Sequence, residues 1–145
     1  SKVDSYCSDM TRTFFINSPS SKTEKAYTTL LGIQKNAIDD IGNYKDQHFA
    51  TQNVAINVNN TLVKNGYSEV PHGLGHGVGI DVHESPILSP FSDNPLYEGM
   101  VLTIEPGIYI PGKFGIRIED TIALDNNALQ LTNSPKEIMV HHLTD

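Results

Sequence analysis

Residues 100–110, MVLTIEPGIYI, and 115–124, GIRIEDTIAL, flank the turn-forming stretch Pro111-Gly112-Lys113-Phe114-Gly115. This pair limits the fold more tightly than any other feature, because each member alternates polar and apolar side chains with the period of a half-buried strand. Val101, Thr103 and Glu105 share one face of the first, with Met100, Leu102 and Ile104 on the other; in the second, Arg117, Glu119 and Thr121 oppose Ile116, Ile118 and Ile122. An odd-length hairpin loop centred near Gly112 sets Glu105 directly across from Glu119. Opposed carboxylates repel. At about 4 Å and an effective dielectric near 20 the cost is on the order of 4 kcal/mol, unless one acid is protonated or a cation sits between them. A cation is the simpler remedy, although either glutamate alone reads equally well as a solvated residue on an exposed sheet face.

Upstream, DMTRTFFI (9–16) is rich in Thr and Phe and ends at Asn17-Ser18-Pro19, the pattern of a strand closed by a turn. There Asp9, Thr11 and Thr13 share one face and Met10, Arg12 and Phe14 the other. Ser21 followed by Glu24 resembles a capping box, and Ala26, Leu30, Ile33, Ala37, Ile38 and Ile41 recur at helical spacing up to Gly42. A second helix is expected from Phe49 to Asn65-Gly66. The histidine segment and a short run at residues 138–140 complete the strands, which gives a mixed order of helices first and sheet afterwards, without repeats.

The histidine segment is HGLGHGVGIDVHE, residues 72–84. His72 and His76 fall on one side of an extended chain, whereas His83 needs a bend to join them, which Gly73, Gly75, Gly77 and Gly79 permit. One such histidine is more often a satisfied polar group than a ligand; three within twelve positions amid alternating glycines reverse that preference. Asp9, a histidine and two glutamates make an oxygen-rich mixed set suited to Mn²⁺, Co²⁺, Fe²⁺ or Zn²⁺. His48, beside a helix, and His141 and His142, near the end of the chain, carry no such signal.

Composition excludes several partners. A net charge of −7 with ten scattered Lys and Arg argues against nucleic acid and anionic membranes. Cys7 stands alone, so no intrachain disulfide forms, and no apolar run approaches the ~18 residues that span a bilayer. A cytoplasmic protein is expected.

In order, SDMTRT, HGLGHGVGIDVHESP, TIEPGIY and GIRIEDT resemble the signature segments of the pita-bread-fold metallopeptidases, the group of methionine aminopeptidases, aminopeptidase P and prolidase. GLGHG, the GIY after TIEP and GIRIED are more similar to the Xaa-Pro branch. The resemblance implies an α+β fold, helices packed on one face of a curved, largely antiparallel sheet, and hydrolysis of Xaa-Pro peptide bonds with two divalent ions, manganese foremost. It implies metal ligation by Asp9, His76, Glu105 and Glu119, with the first and last bridging. Glu105 would also shuttle protons, while His72 and His83 would orient substrate and stabilise the oxyanion. Thr103 and Arg117 would steady the ligands and Tyr109 border the pocket. The implied partners are a peptide with proline after the scissile bond and a second copy of the chain in a homodimer.

The family places one more aspartate ligand eleven residues before the SDMTRT aspartate, and the chain begins eight residues before Asp9. Asp4 falls on the opposite strand face and does not replace it. The expectation is therefore the C-terminal portion of a catalytic domain (1–145), with one nearly complete metal position and little or no activity by itself. Creatinase, which has the fold and uses no metal, and non-catalytic binding modules of the same fold are the alternatives; joint retention of Asp9, His76, Glu105 and Glu119 speaks against both.

Overall fold

The computed structural model describes residues 1–46 and 49–142, so His48 lies outside the described residues. The chain opens with a hairpin, β1 (Lys2–Val3) and β2 (Tyr6–Cys7), too short to show an alternation in sequence. An extended stretch then leads to β3 (Phe14–Ile16). The strand expected over residues 9–16 is thus confined to its last three. Ahead of them one antiparallel bridge, Thr11 to Glu119, is the ladder contact, and the remaining fastening is by side chains: Thr121 Oγ1 donates to Asp9 O at 2.6 Å.

Helix α1 (Ser21–Ile41) is capped one residue earlier than the Ser21/Glu24 pairing suggests. Ser20 has the extended backbone of a cap, and its hydroxyl accepts from Thr23 N at 3.2 Å. Leu30, Ile33, Ile38 and Ile41 form its buried stripe, each contributing about 2 kcal/mol. Helix α2 (Thr51–Lys64) starts two residues after the expected Phe49 and is followed by Gly66 at φ +81°.

Eight strands follow or complete the sheet: β4 (Gly75–Gly77), β5 (Glu84–Leu88), β6 (Val101–Ile104), β7 (Gly107–Ile110), β8 (Phe114–Arg117), β9 (Asp120–Leu124), β10 (Ala128–Gln130) and β11 (Met139–His141). The main sheet runs β10-β9-β6-β4-β5, antiparallel throughout; β7 and β8 form a ribbon, and β11 lies parallel to β3. His141 sits on β11 and His142 just beyond it, both exposed.

Each of the two long strands of the expected hairpin is broken in the middle. The register nevertheless runs unchanged through both halves, with Ile104 opposite Asp120 and Gly107 opposite Arg117, so Glu105 and Glu119 hold facing positions in the gap. Pro106, which has no N–H to give, interrupts the ladder. Both glutamates bond elsewhere. Glu105 N donates to Leu74 O at 2.8 Å, and Glu119 exchanges bonds with Thr11 at 3.1 and 3.4 Å. The hairpin opens, and its two acid-bearing positions are drawn toward the segments that carry His76 and Asp9.

Leu102, Ile104, Ile116, Ile118 and Ile122 are buried against the helices in one core, as the alternation requires. Helix α1 lies on β6, β7, β8 and β10, and α2 on α1 and β5. Among the described residues no helix is long and apolar enough to cross a membrane.

Candidate metal centre

His76 lies at the centre of the site, and close strand packing holds it there. A Cβ on Gly75 would lie 1.9 Å from Thr103 O, and one on Gly77 2.2 Å from Ser85 O, so only glycine allows β4 between its neighbours. A register shift between His76 and Gly77 bends the chain, and the turn beyond it returns His83 against His76, ring centroids 4.3 Å apart and planes tilted by 55°. Thr103 is buried and its hydroxyl accepts from His76 N at 3.1 Å.

The tautomer follows from the partners. His76 Nδ1 is 2.9 Å from Gly77 O, which only accepts, so Nδ1 carries the proton. In the neutral ring Nε2 then keeps its lone pair; it lies 3.4 Å from Glu105 Oε1 and 3.7 Å from Asp9 Oδ2. In that form a nitrogen lone pair faces carboxylate oxygens, an arrangement relieved by a shared cation, either a proton or a metal ion. Donors ~2.1 Å from one ion stand roughly 3 to 4 Å apart, so these separations fit a divalent metal.

Two triads meet at His76: Glu105 and Glu119 complete one, Asp9 and His83 the other, with ligand atoms within 4.8 Å of one another in each. The expected four thus share the histidine rather than one point, and His83, expected to contact only substrate, stands within ligand reach. Glu119 is buried; its Oε2 accepts from Thr11 Oγ1 at 2.5 Å. Burial, reinforced by the charges of Glu105 and Asp9 against the opposing pull of Thr11, pushes its carboxyl above the ordinary glutamate range.

The remaining expected residues line the approach. His72 Nδ1 donates to Gly73 O, which leaves Nε2 to accept from the Tyr109 hydroxyl at 2.7 Å. Arg117 Nε donates to Thr11 Oγ1 at 3.2 Å and stands 4.0 Å from Glu105 Oε2. A cleft of about 650 Å³ is lined by His72, His76, His83, Ile87, Glu105 and Arg117.

Behind the centre lies a polar cluster that the alternation does not reveal. Asp120, fully buried on the apolar face, accepts from Arg12 at 2.7 Å, Thr132 at 2.6 Å, Gln34 at 3.0 Å and Lys136 at 2.6 Å. Arg12 also donates to Thr11 O at 2.9 Å and Glu119 O at 2.7 Å. The available signal was an acid and a base each set on the otherwise apolar face of a strand.

A model of metallopeptidase family M24 matches residues 1–126. The chain is 41% identical over 140 residues to a putative dipeptidase, YkvY, of Bacillus subtilis, covering 95% of the chain and 38% of that protein. It is 43% identical over 136 residues to an Xaa-Pro dipeptidase of Pyrococcus horikoshii, covering 92% of the chain and 38% of that protein. It superimposes on the crystal structure of a prolidase from Thermococcus sibiricus with a TM-score of 0.86 at 41% identity, over 94% of the chain and 37% of that one. The chain thus spans a little over a third of the length of these relatives.

Proposed function

The chain belongs to metallopeptidase family M24 and has its pita-bread fold, and from that premise we propose that the full protein hydrolyses Xaa-Pro peptide bonds with bound divalent metal, manganese foremost. The observation that carries the reading is the convergence of His76 Nε2 with the carboxylates of Asp9, Glu105 and Glu119, in two triads whose ligand atoms lie within 4.8 Å of one another. Asp9, His76, Glu105 and Glu119 would hold the metal, which when bound supplies Lewis acidity to water and to the scissile carbonyl. Glu105 takes the proton from the attacking water and returns it to the leaving amine. His72 and His83, on the cleft wall, orient the substrate, and His83 donates to the oxygen that gains charge. When proline follows the cut, the scissile amide has no N–H, so selection falls to cleft shape and these histidines. Thr103 fixes the backbone of His76, Arg117 steadies Glu105 through charge, and Tyr109 sets the proton of His72. The reading places the enzyme in the cytoplasm, as a homodimer; the lone Cys7, without a disulfide partner, fits a reducing compartment.

The test is hydrolysis of Gly-Pro and Ala-Pro in the presence of Mn²⁺. The full protein is expected to turn both over and to lose activity when Glu105 is changed to Gln, while residues 1–145 alone show little or none. Brisk turnover by residues 1–145 alone would overturn the dependence on the rest of the protein. A full protein inert with Mn²⁺, Co²⁺, Zn²⁺ and Fe²⁺ would overturn the assignment.

A further inference from the structure

Two backbone carbonyls flank the break in the central hairpin, and Pro106 has no N–H to offer the second of them. Ile104 O and Ile118 O precede Glu105 and Glu119, at the point where the ladder lapses, and both accept from one side chain: Gln34 Nε2 of α1, at 3.3 Å each. The same amide donates to Asp120 Oδ2 at 3.0 Å, so its two hydrogens serve three acceptors. Its orientation is fixed, because Gln34 Oε1 accepts from Lys136 Nζ at 3.3 Å and Lys136 has nothing but hydrogens to offer. Gln34 is fully buried in a helix stripe otherwise made of Leu, Ile, Ala and Tyr. A buried amide there costs desolvation that a leucine would not, and it returns that cost only by satisfying the opened strands.

We propose that Gln34, oriented by Lys136 and Asp120, is a positioning residue for the metal centre: it holds the hairpin open at Ile104 and Ile118 and thereby sets the distance between the carboxylates of Glu105 and Glu119. The inference rests on the reading of those two residues as metal ligands. It adds that their spacing is governed from the opposite side of the sheet, by a helix residue that touches neither metal nor substrate.

The experiment compares Mn²⁺ binding by the 145-residue chain and by Gln34→Met, which keeps the volume and removes the amide. Free Mn²⁺ is followed by electron paramagnetic resonance and the coordination geometry by the visible spectrum of the Co²⁺-loaded chain, both well below the unfolding temperature. The substitution is expected to weaken Mn²⁺ binding about tenfold and to shift the Co²⁺ bands. Lys136→Met, on a partly exposed side chain, releases the orientation of Gln34 without touching either carbonyl, and is expected to change both in the same direction by a smaller factor. It decides the matter should Gln34→Met fail to fold. A lowered melting temperature with unaltered Mn²⁺ affinity and Co²⁺ spectrum overturns the proposal and leaves Gln34 a structural residue. If the unsubstituted chain binds no Mn²⁺, the nearly complete metal position assigned to residues 1–145 fails, a different result from a chain that binds and a variant that binds equally.

Discussion

Replacing Asp120 with Asn removes one charge and changes almost no volume, yet it is expected to be among the most damaging substitutions in the chain. The carboxylate is fully buried and accepts four hydrogen bonds, two on each oxygen. An amide in its place points a donor at two donors and leaves Arg12, whose side chain is 3% exposed, without a counter-charge. Breaking a buried pair by removing one partner costs about 3–5 kcal/mol. With an unfolding entropy of roughly 2.1 cal/mol/K per residue, a chain of 145 residues loses about 3 °C per kcal/mol, so a fall in Tm of about 10–15 °C is expected. The comparison is Lys35→Ala, which breaks the Lys35–Asp39 pair; that pair is shorter, 2.6 Å against 2.7 Å, but 74% and 60% exposed, and should cost under about 1 kcal/mol. The pH dependence has a definite sign. Burial alone would raise the Asp120 carboxyl, but Lys136, Thr132 and Arg12 overcome it and hold the group below the ordinary aspartate range. A folded-state value below the unfolded one gives stabilisation that is present above the ordinary range and lost as pH falls through the folded value. The gap between the original chain and Asp120→Asn in urea unfolding should therefore be widest at neutral pH and narrow in acid. A loss below about 1 kcal/mol, or a gap that does not change with pH, would refute the account of a desolvated, charge-matched core.

Two further outcomes concern the metal centre. Glu119→Gln should act in opposite directions on folding and binding: because the carboxyl is pushed upward when folded, its stabilisation exists in acid and is lost as pH rises, so the neutral amide should raise the Tm of the metal-free chain at pH 7 while weakening Mn²⁺ binding. Thermal unfolding with EDTA and with Mn²⁺ measures both, and a lower Tm in EDTA contradicts the repulsion. Gly75→Ala must displace β4 from Thr103 O, since the added Cβ would otherwise sit at 1.9 Å, and it should cost about 3 kcal/mol through overpacking and loss of the Glu105 N to Leu74 O bond. Urea unfolding reads that cost, and a loss under 1 kcal/mol would mean the strands separate more freely than their packing implies.

The facing positions of Glu105 and Glu119 were legible because hairpin register depends only on the loop and the period of two, and both survive the interruption at Pro106. The course of the Asp9 segment was not, since Thr- and Phe-rich residues signal strand propensity without saying whether a partner strand is available; here side chains and one bridge supply the bonds. The pairing of Arg12 with Asp120 was not legible for a related reason. Alternation sets Arg12 beside Met10 and Phe14 and Asp120 beside Ile118 and Ile122, so each contradicts the pattern around it without showing that the two meet. Those contradictions follow from the site itself. To bring Glu105 and Glu119 toward His76 and Asp9, the hairpin gives up its ladder at Pro106, which has no N–H to offer Ile118 O, so that carbonyl needs a donor from the core side. Gln34 supplies it and bonds Ile104 O as well, Arg12 adds a second donor to Thr11 O and Glu119 O, which already accept each other's N–H, and a guanidinium so deeply buried requires the carboxylate of Asp120. The polar residues in the core are thus the consequence of the acids in the cleft, linked through the backbone they share.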